Sequence, residues 1–187
     1  ISAQAEDCSG NLVTTTAQGT DASVDVVDLV APQVVENKSD LYCLWPPQHR
    51  MVCFEEDDFA PGITDNCTAD PTWLFAACTS NQPDDAPDAT DINGDGHTIH
   101  DCGLGEDADD VCARAERAGT DEEGRRYTLE IQATDVCGNV SGSTAIGRLA
   151  VPHRKSPSQV CISPLSTNPV DGRAEGTRRH TQRANPG

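Results

Sequence analysis

The residue types best suited to chemistry are concentrated in one acidic segment, residues 84–101 (the acidic loop). The stretch Asp91-Ile92-Asn93-Gly94-Asp95-Gly96 places oxygen ligands at alternate positions and a glycine where the chain must bend, as the first half of an EF-hand calcium loop does. The match then ends, because position twelve, which requires a bidentate acid, is Cys102. The alternative is a solvated acidic loop. Since crowded carboxylates repel one another without a cation, we expect calcium here. The predicted ligands are Asp88, Asp91, Asn93, Asp95 and Asp101.

Two further groups of polar residues favour a structural interpretation. His97, His100 and Asp101 form an H-x-x-H-D pattern that could hold zinc with one more ligand, but an isolated pair of loop histidines is more often exposed to solvent. Arg114 and Glu116 are two residues apart and share one face of a predicted strand. A salt-bridge ladder with Glu130 on a neighbouring strand is expected for them.

The sequence contains no motif typical of enzymatic catalysis. It has neither a G-x-S-x-G nucleophile motif nor a phosphate-binding glycine loop. The run Glu55-Glu56-Asp57-Asp58 supplies paired carboxylates, but consecutive strand residues point to opposite sides, and aromatic residues make up only 4% of the chain, which leaves few platforms for a sugar. We therefore expect a protein that is not an enzyme.

Nine cysteines are dispersed through 187 residues, and none belongs to a C-x-x-C pair. Reducing compartments use cysteine mainly for metal sites and catalysis, so a dispersed set predicts a disulfide framework in a secreted or cell-surface protein. Cys102 with Cys112 could close the acidic loop, and Cys43 and Cys53 flank the proline-rich loop 45–50 and could staple it. The odd number leaves one cysteine over, and eight bridged cysteines already allow about a hundred connectivities.

The charge is strongly acidic and unevenly distributed. The net charge of −18 combines residues 1–147, with 6 basic and 29 acidic side chains (−23), and residues 148–187, with 7 basic and 2 acidic (+5). An acidic body repels phosphate backbones, so we expect no binding to nucleic acid. We also expect no membrane insertion, because no apolar run approaches the roughly 20 residues of a membrane helix.

Alternation of apolar and polar residues, bounded by turn residues, predicts an all-β fold. The clearest example is residues 126–134, followed by the turn Asp135-Val136-Cys137-Gly138-Asn139 and a return over residues 143–151. This pattern predicts a β-hairpin. The apolar face of its first strand consists of Tyr127, Leu129, Ile131 and Ala133. Further strands are predicted in residues 23–29, 33–36, 41–44, 51–54, 72–79 and 111–117.

Composition divides the chain into three parts. The turns Asp7-Cys8-Ser9-Gly10-Asn11 and Asp135-Val136-Cys137-Gly138-Asn139 are near-copies, which indicates that residues 1–30 form the last hairpin of a preceding module of similar kind. Residues 31–155 contain most of the other strand patterns and form the predicted main domain. Residues 156–187 are basic and rich in Ser, Thr, Pro and Gly, a composition typical of an irregular tail.

Six short pieces between Leu44 and His153 occur in an order found in one group of domains. They are Leu44-Trp45-Pro46-Pro47-Gln48-His49-Arg50-Met51-Val52, Thr64-Asp65-Asn66-Cys67, Arg114-Ala115-Glu116-Arg117-Ala118-Gly119, Gly124-Arg125-Arg126-Tyr127-Thr128, Ala133-Thr134-Asp135-Val136-Cys137-Gly138-Asn139 and Val151-Pro152-His153. In these pieces residues 31–155 resemble a bacterial extracellular repeat related to the hyalin repeat (HYR) and other immunoglobulin-like domains. The resemblance implies an immunoglobulin-like antiparallel β-sandwich without known catalysis. Its shared turn motifs also suggest that Cys67 reaches Cys137.

These features predict a non-enzymatic structural or adhesive module, secreted or displayed on a bacterial surface and stabilised by disulfides and calcium. The expected partners are copies of itself or other surface proteins. In the sharper form of this hypothesis, residues 1–30 complete a sheet edge of a neighbouring copy and build a filament by strand exchange. One of Cys8, Cys78 and Cys161 is expected to be left for a bond between chains. The alternative is an accessory ligand-binding or carbohydrate-binding module of a secreted bacterial hydrolase.

Overall fold

The computed structural model describes residues 2–6, 12–16, 27–84, 98–119, 121–155 and 161–162. The strands are β1 (Ser2–Glu6), β2 (Leu12–Thr16), β3 (Gln33–Val34), β4 (Asp40–Leu44), β5 (Met51–Glu55), β6 (Ile63–Thr64), β7 (Thr72–Ser80), β8 (Cys102–Leu104), β9 (Asp110–Arg114), β10 (Arg125–Thr134), β11 (Thr144–Val151) and β12 (Cys161–Ile162). One turn of 3-10 helix spans Glu56–Asp58. The fold is all-β, as predicted. Within the described ranges, no helix is long and apolar enough to cross a membrane.

Two sheets form the body of the molecule. One has five strands in the order β12-β4-β11-β10-β7, and the other has three in the order β5-β9-β8. Strands β3 and β6 pair with each other, as do β1 and β2. Most neighbours are antiparallel, but β4 runs parallel to both β11 and β12. This parallel edge differs from the purely antiparallel sandwich expected, because long stretches of chain, and not hairpins, separate β4 from these two neighbours.

The predicted β10–β11 hairpin is confirmed. The two strands pair antiparallel from Arg125 opposite Val151 to Ile131 opposite Thr144, with one register shift after Leu129. The other predicted strands overlap β3, β4, β5, β7 and β9. The strand predicted at 23–29 is not found in its described part, because residues 27–29 are not in a strand. Residues 23–26 lie outside the described ranges.

Alternating burial along the strands builds one core between the two sheets. In β10 every second side chain, beginning with Arg125, is buried, which confirms the predicted apolar face. Strand β5 buries Val52 and Phe54, and β9 buries Val111 and Ala113. These residues join side chains of β4, β7 and β11 in one hydrophobic cluster. The arrangement is that of a β-sandwich, since both sheets place one face on the same core.

Three disulfides with both partners described connect the strands. They are Cys43–Cys161 between β4 and β12, Cys53–Cys112 between β5 and β9, and Cys78–Cys102 between β7 and β8. The last one links the edge of the five-stranded sheet to the three-stranded sheet. Both Cys78 and Cys161, which the sequence suggested as left-over cysteines, are therefore bridged.

The predicted bridge Cys102–Cys112 is wrong. In the three-stranded sheet, Cys112 stands opposite Cys53 on one side and Gly103 on the other, whereas Cys102 stands opposite Ala113. Because neighbouring strand residues point to opposite faces of a sheet, Cys102 points toward the core and Cys112 points away from it. Cys102 would stand opposite Cys112 only if β8 and β9 were shifted by one residue in register, so this register decides which cysteines pair.

The other two predicted bridges are also wrong. Cys43 lies opposite Cys161 in the five-stranded sheet, while Cys53 projects from the outer face of the other sheet. Cys67 is disulfide-bonded, but Cys137 is a free, exposed thiol on the turn after β10. The left-over cysteine among the described residues is therefore Cys137.

Peptide mapping of the unreduced protein should recover linked peptides for Cys53–Cys112 and Cys78–Cys102. Alkylation of the native protein should label the peptide that contains Cys137, because this thiol is exposed. Mass spectrometry reads both results. A linked peptide that joins Cys102 to Cys112 would contradict the register described here.

Candidate functional site

The segment 27–30, which leads into β3, has its apolar side chains outside and its acid inside. Leu29 is 82% exposed and Val27 and Val30 are also exposed, whereas Asp28 is only 9% exposed. Hydrophobic burial alone would favour the opposite arrangement. Polar contacts therefore hold this segment: Asp28 Oδ1 accepts the Val30 amide at 3.0 Å and Asn66 Nδ2 at 3.3 Å.

A second acid, Asp65, begins the turn that follows β6. Its Oδ1 accepts the backbone N–H groups of Cys67 at 3.0 Å and Thr68 at 2.6 Å, an arrangement in which an aspartate side chain closes its own turn. These two bonds, that of Thr68 first, hold the pKa of Asp65 below its ordinary value because they stabilise the charged form.

A third acid, Asp135, begins the turn that follows β10. Its Oδ1 accepts the backbone amide of Asn139 at 2.8 Å, and its Oδ2 accepts Asn139 Nδ2 at 2.7 Å. The turn requires Gly138, whose φ of 88° is favourable only for glycine. Asn139 Nδ2 also donates to the backbone carbonyl of Asp28 at 3.0 Å, so this turn contacts the inverted segment directly.

The three acids converge and form what we term the Asp28 cluster (Asp28, Asp65 and Asp135). Each offers one carboxylate oxygen, and the three oxygens lie within 4.8 Å of one another. The two turns are joined by a hydrogen bond from the Val136 amide to Thr68 Oγ1 at 3.2 Å. Among residues 27–84, 98–119 and 121–155, no basic side chain forms an ion pair with any member of the cluster.

Two oxygens of the Asp28 cluster are buried without a partner. Asp28 Oδ2 and Asp65 Oδ2 are both shielded from solvent and accept no hydrogen bond from any residue that the structure describes. A buried carboxylate oxygen without a donor is unfavourable, and three negative groups at this distance also repel one another. A bound hard cation would relieve both costs, since calcium and magnesium take oxygen ligands, carboxylates above all.

The calcium site predicted in the acidic loop falls largely on residues that are not described. Asp88, Asp91, Asn93 and Asp95 lie outside the described ranges. Asp101 is described, and it has a different role from the predicted one: its Oδ2 accepts Arg125 Nη1 at 2.5 Å and its Oδ1 accepts Arg114 Nε at 2.9 Å. Of the possible zinc ligands, His97 is also outside the described ranges, and His100 is exposed.

The Arg125 guanidinium is the centre of a buried ionic network. Besides Asp101, its Nη1 contacts Glu116 Oε1 at 3.3 Å and the Tyr127 hydroxyl at 3.2 Å. Asp101, Glu116 and the Arg125 side chain are completely shielded from solvent. Burial would lower the pKa of Arg125, but the Tyr127 and Asp101 contacts reverse this and raise it, so the guanidinium stays charged. Burial also raises the pKa of the Tyr127 hydroxyl.

The two carboxyls of the network titrate differently. Burial favours the neutral form of Asp101, but its hydrogen bond with Arg125 and further bonds outweigh burial and hold its pKa below the ordinary 3.8. At Glu116 burial is the dominant effect and raises the pKa above the ordinary 4.5. The Thr98 hydroxyl lies within hydrogen-bonding distance of both acids. The hydroxyl has one proton and can donate to only one of the two carboxyls, so a proton on Glu116 would supply the second hydrogen bond.

The same network joins the two ends of the acidic loop. At its first end, Arg125 donates through Nη2 to the Pro83 carbonyl at 3.1 Å and through Nε to Gln82 Oε1 at 3.2 Å. The Asp84 carboxylate accepts the backbone amide of His100 at 2.8 Å and that of Asp101 at 3.3 Å. The described ends of the loop are therefore fixed to the core by charge-assisted hydrogen bonds.

The predicted ladder of Arg114, Glu116 and Glu130 forms only in part. Arg114 Nε lies 3.8 Å from Glu116 Oε2, and the half-exposed His49 contacts the same oxygen through Nδ1 at 3.1 Å. Glu130 does not join them, because it lies on the other face of β10 from Arg125 and accepts the Ser143 hydroxyl at 2.5 Å.

No protein-family model matches the sequence, and no curated protein or solved structure does either. The resemblance to HYR-type repeats, and the immunoglobulin-like character that it implies, therefore stay predictions.

The Asp28 cluster is not among the sites predicted from the sequence, although two of its members share a local sequence pattern. Thr64-Asp65-Asn66-Cys67 and Thr134-Asp135-Val136-Cys137 share the pattern T-D-x-C, and in both the aspartate begins a turn directly after a strand. The cysteines of these two turns are the residues predicted to meet, but the aspartates before them are the ones that do. Asp28 has no counterpart of this pattern and could be found only from the fold.

Asp101→Asn is expected to lower the free energy of unfolding by about 3 to 5 kcal/mol, because it deprives the buried Arg125 of its closest counter-charge. Glu116→Gln should lower the free energy of unfolding by less, because burial already favours a neutral side chain at this position. Urea unfolding at neutral pH with the disulfides intact measures both changes. Asp107→Asn, at an exposed position, is the matched control and should change the value by less than about 0.5 kcal/mol. An equal loss of stability in Asp101→Asn and Glu116→Gln would contradict the conclusion that Asp101 is the main counter-charge of Arg125.

The two acids should also respond oppositely to pH. The folded pKa of Asp101 lies below 3.8, so its stabilisation is present above that pH and is lost as the pH falls through the folded value. The folded pKa of Glu116 lies above 4.5, so its stabilisation is present below that pH and is lost as the pH rises through the folded value. Glu116→Gln should therefore gain stability relative to the unmodified protein as the pH rises from about 4.5 to 7. If the stability of Glu116→Gln and of the unmodified protein changed with pH in parallel, the pKa of Glu116 would not be raised.

Proposed function

We propose that the chain is a non-enzymatic structural or adhesive module of a bacterial extracellular surface, stabilised by disulfides and by calcium. The observation that carries the proposal is the bridge Cys78–Cys102, which ties one sheet of the sandwich to the other. Two further bridges join β4 to β12 and β5 to β9. Structural disulfides of this kind persist in oxidising environments and are rare in the cytosol.

The buried ionic network supports a structural role over catalysis. A catalytic acid or base needs access to a substrate and a proton that it can transfer. Asp101 and Glu116 have no exposed side-chain surface, and each is engaged by arginine. Their contacts fix the ends of the acidic loop and the start of β10, which is what a structural network does.

Reduction should therefore destabilise the protein strongly. A native disulfide contributes about 2 to 4 kcal/mol, so the loss of the three bridges with both partners described is already comparable to the whole stability of a domain. The reduced protein is expected to be largely unfolded at about 37 °C while the oxidised protein stays folded, as followed by circular dichroism. Equal melting of the two forms would contradict a role that depends on an oxidising compartment.

Assembly through strand exchange is the sharper form of this proposal. Strands β1 and β2 form a two-stranded ribbon, which is marginal in water by itself. In the described sheets β7 pairs only with β10, so its other side is an edge. The Phe75 amide on that edge donates to the Ala108 carbonyl at 2.9 Å, and residues 72–74 precede this contact, with Leu74 48% exposed. We propose that the ribbon of another copy pairs there.

Light scattering after size-exclusion chromatography tests the assembly. We expect the mass per particle to increase with protein concentration, and Leu74→Lys to suppress the increase because a lysine on an edge strand disfavours pairing. Val136→Lys is the matched control, since Val136 is 82% exposed on a turn. A monomer at every concentration would contradict self-assembly.

The alternative function, an accessory carbohydrate-binding module, has one observation in its favour. An open depression of about 460 Å³ beside the β7 edge is lined by Trp73, Gln132 and Thr134, among others, and combines an aromatic ring with polar side chains. The Trp73 ring packs edge-on against Phe75, with the ring centroids 5.2 Å apart, so only part of it is available as a platform. Retention of a monomer on insoluble polysaccharide, lost in Trp73→Ala, would favour this alternative.

A further inference from the structure

We propose that the Asp28 cluster binds one divalent calcium ion, and that the ion fastens the segment 27–30 to the sandwich. The inference rests on the proposed extracellular function, because weak calcium sites are occupied only where calcium is abundant. Extracellular modules bind calcium with dissociation constants of roughly 10⁻⁴ to 10⁻³ M. This site is distinct from the acidic loop in which the sequence predicts calcium.

The inverted segment is the first observation. A segment that turns Leu29 and Val30 to solvent and Asp28 inward forgoes hydrophobic stabilisation. Such an arrangement is stable only if the inward acid has a compensating interaction. The hydrogen bonds to Asp28 Oδ1 satisfy one oxygen and leave Oδ2 buried without a donor.

The unpartnered oxygens are the second and independent observation. Asp28 Oδ2 and Asp65 Oδ2 are buried without a hydrogen bond from the described part of the chain, and both belong to side chains whose oxygens meet within 4.8 Å. Asp65 Oδ1 accepts the amides of Thr68 and Cys67, which fix the orientation of this side chain. The cluster therefore presents negative charge toward a small space in which no described basic side chain forms an ion pair with it.

The chemistry of the donors selects the ion. The cluster contributes three carboxylates and neither histidine nor thiolate, which favours a hard cation over zinc or copper. Its acids lie on three separate segments, each fixed by its own turn hydrogen bonds. Three such donors leave the remaining coordination positions to water, which suits the variable coordination of calcium better than the strict octahedron of magnesium.

The position of the site gives the ion a mechanical role. Asp65 and Asp135 follow β6 and β10 of the body, whereas Asp28 belongs to the segment that connects residues 1–26 to β3. An ion shared by all three would fix the start of the main domain relative to its turns. Loss of the ion would leave segment 27–30 attached through the hydrogen bonds of Asn66 and Asn139 to Asp28, because its apolar side chains are exposed.

Calorimetric titration of the full chain, stripped with EDTA and titrated with calcium chloride, tests the site. We expect calcium binding with a dissociation constant in the range of roughly 10⁻⁴ to 10⁻³ M, weakened about tenfold or more in Asp28→Asn, because affinity follows the number of charged ligands. Asp107→Asn removes one exposed charge and should bind as the unmodified protein does. The double variant Asp91→Asn, Asp95→Asn removes the predicted ligands of the acidic loop and should retain this site.

Hydrogen exchange of the unmodified protein supplies a readout that does not depend on the folding of any variant. Calcium should slow exchange of the Leu29 and Val30 amides, while strand amides of β10 should stay unchanged. The proposal is overturned if calcium binding survives Asp28→Asn and is lost in the Asp91→Asn, Asp95→Asn variant. It is also overturned if roughly 10 mM calcium, ten times the weak end of the range, leaves exchange in segment 27–30 unchanged. Either result leaves the test by reduction unaffected, so failure of this site is distinguishable from failure of the proposed function.

Discussion

The structure depends first on one buried positive charge, the guanidinium of Arg125. A charge in a protein interior is tolerated only when it is paired and its hydrogen-bond donors are used, and here Asp101, Glu116 and two carbonyl or amide oxygens use them. These partners come from the two ends of the acidic loop and from the region after β9. The neutralisation of Arg125 therefore determines where both loop ends lie, and removal of Asp101 would leave an incompletely paired charge in the core.

A glycine makes this placement of Arg125 possible. Gly124 directly precedes β10 with a φ of 76°, and a Cβ atom there would lie 2.4 Å from the Val151 carbonyl oxygen. Only glycine allows the turn to pack this closely against the end of β11. Arg117 reinforces the same corner by donating to the carbonyls of Pro152 and His153 at 3.1 and 3.2 Å. The entry of β10 and the exit of β11 are thus coupled through main-chain contacts.

Local pattern was sufficient to predict the elements but not their partners. The β10–β11 hairpin was predictable because alternation and the Gly138 turn are properties of adjacent residues. The bridges were not, because pairing Cys112 with Cys53 or with Cys102 depends on a one-residue register that no local pattern contains. The Asp28 cluster was missed for the same reason: its three members meet only after β6, β10 and the segment before β3 are packed together.

The bridge Cys43–Cys161 has a consequence for a chain that is pulled from its ends. It joins residues 118 positions apart, so tension passes through a single covalent bond and cannot extend the residues between them. Most of the sandwich is shielded from force in this way. The stretch before Cys43, which contains β3 and Asp28, lies outside this loop, so the tension it bears depends on the separate disulfide formed by Cys67.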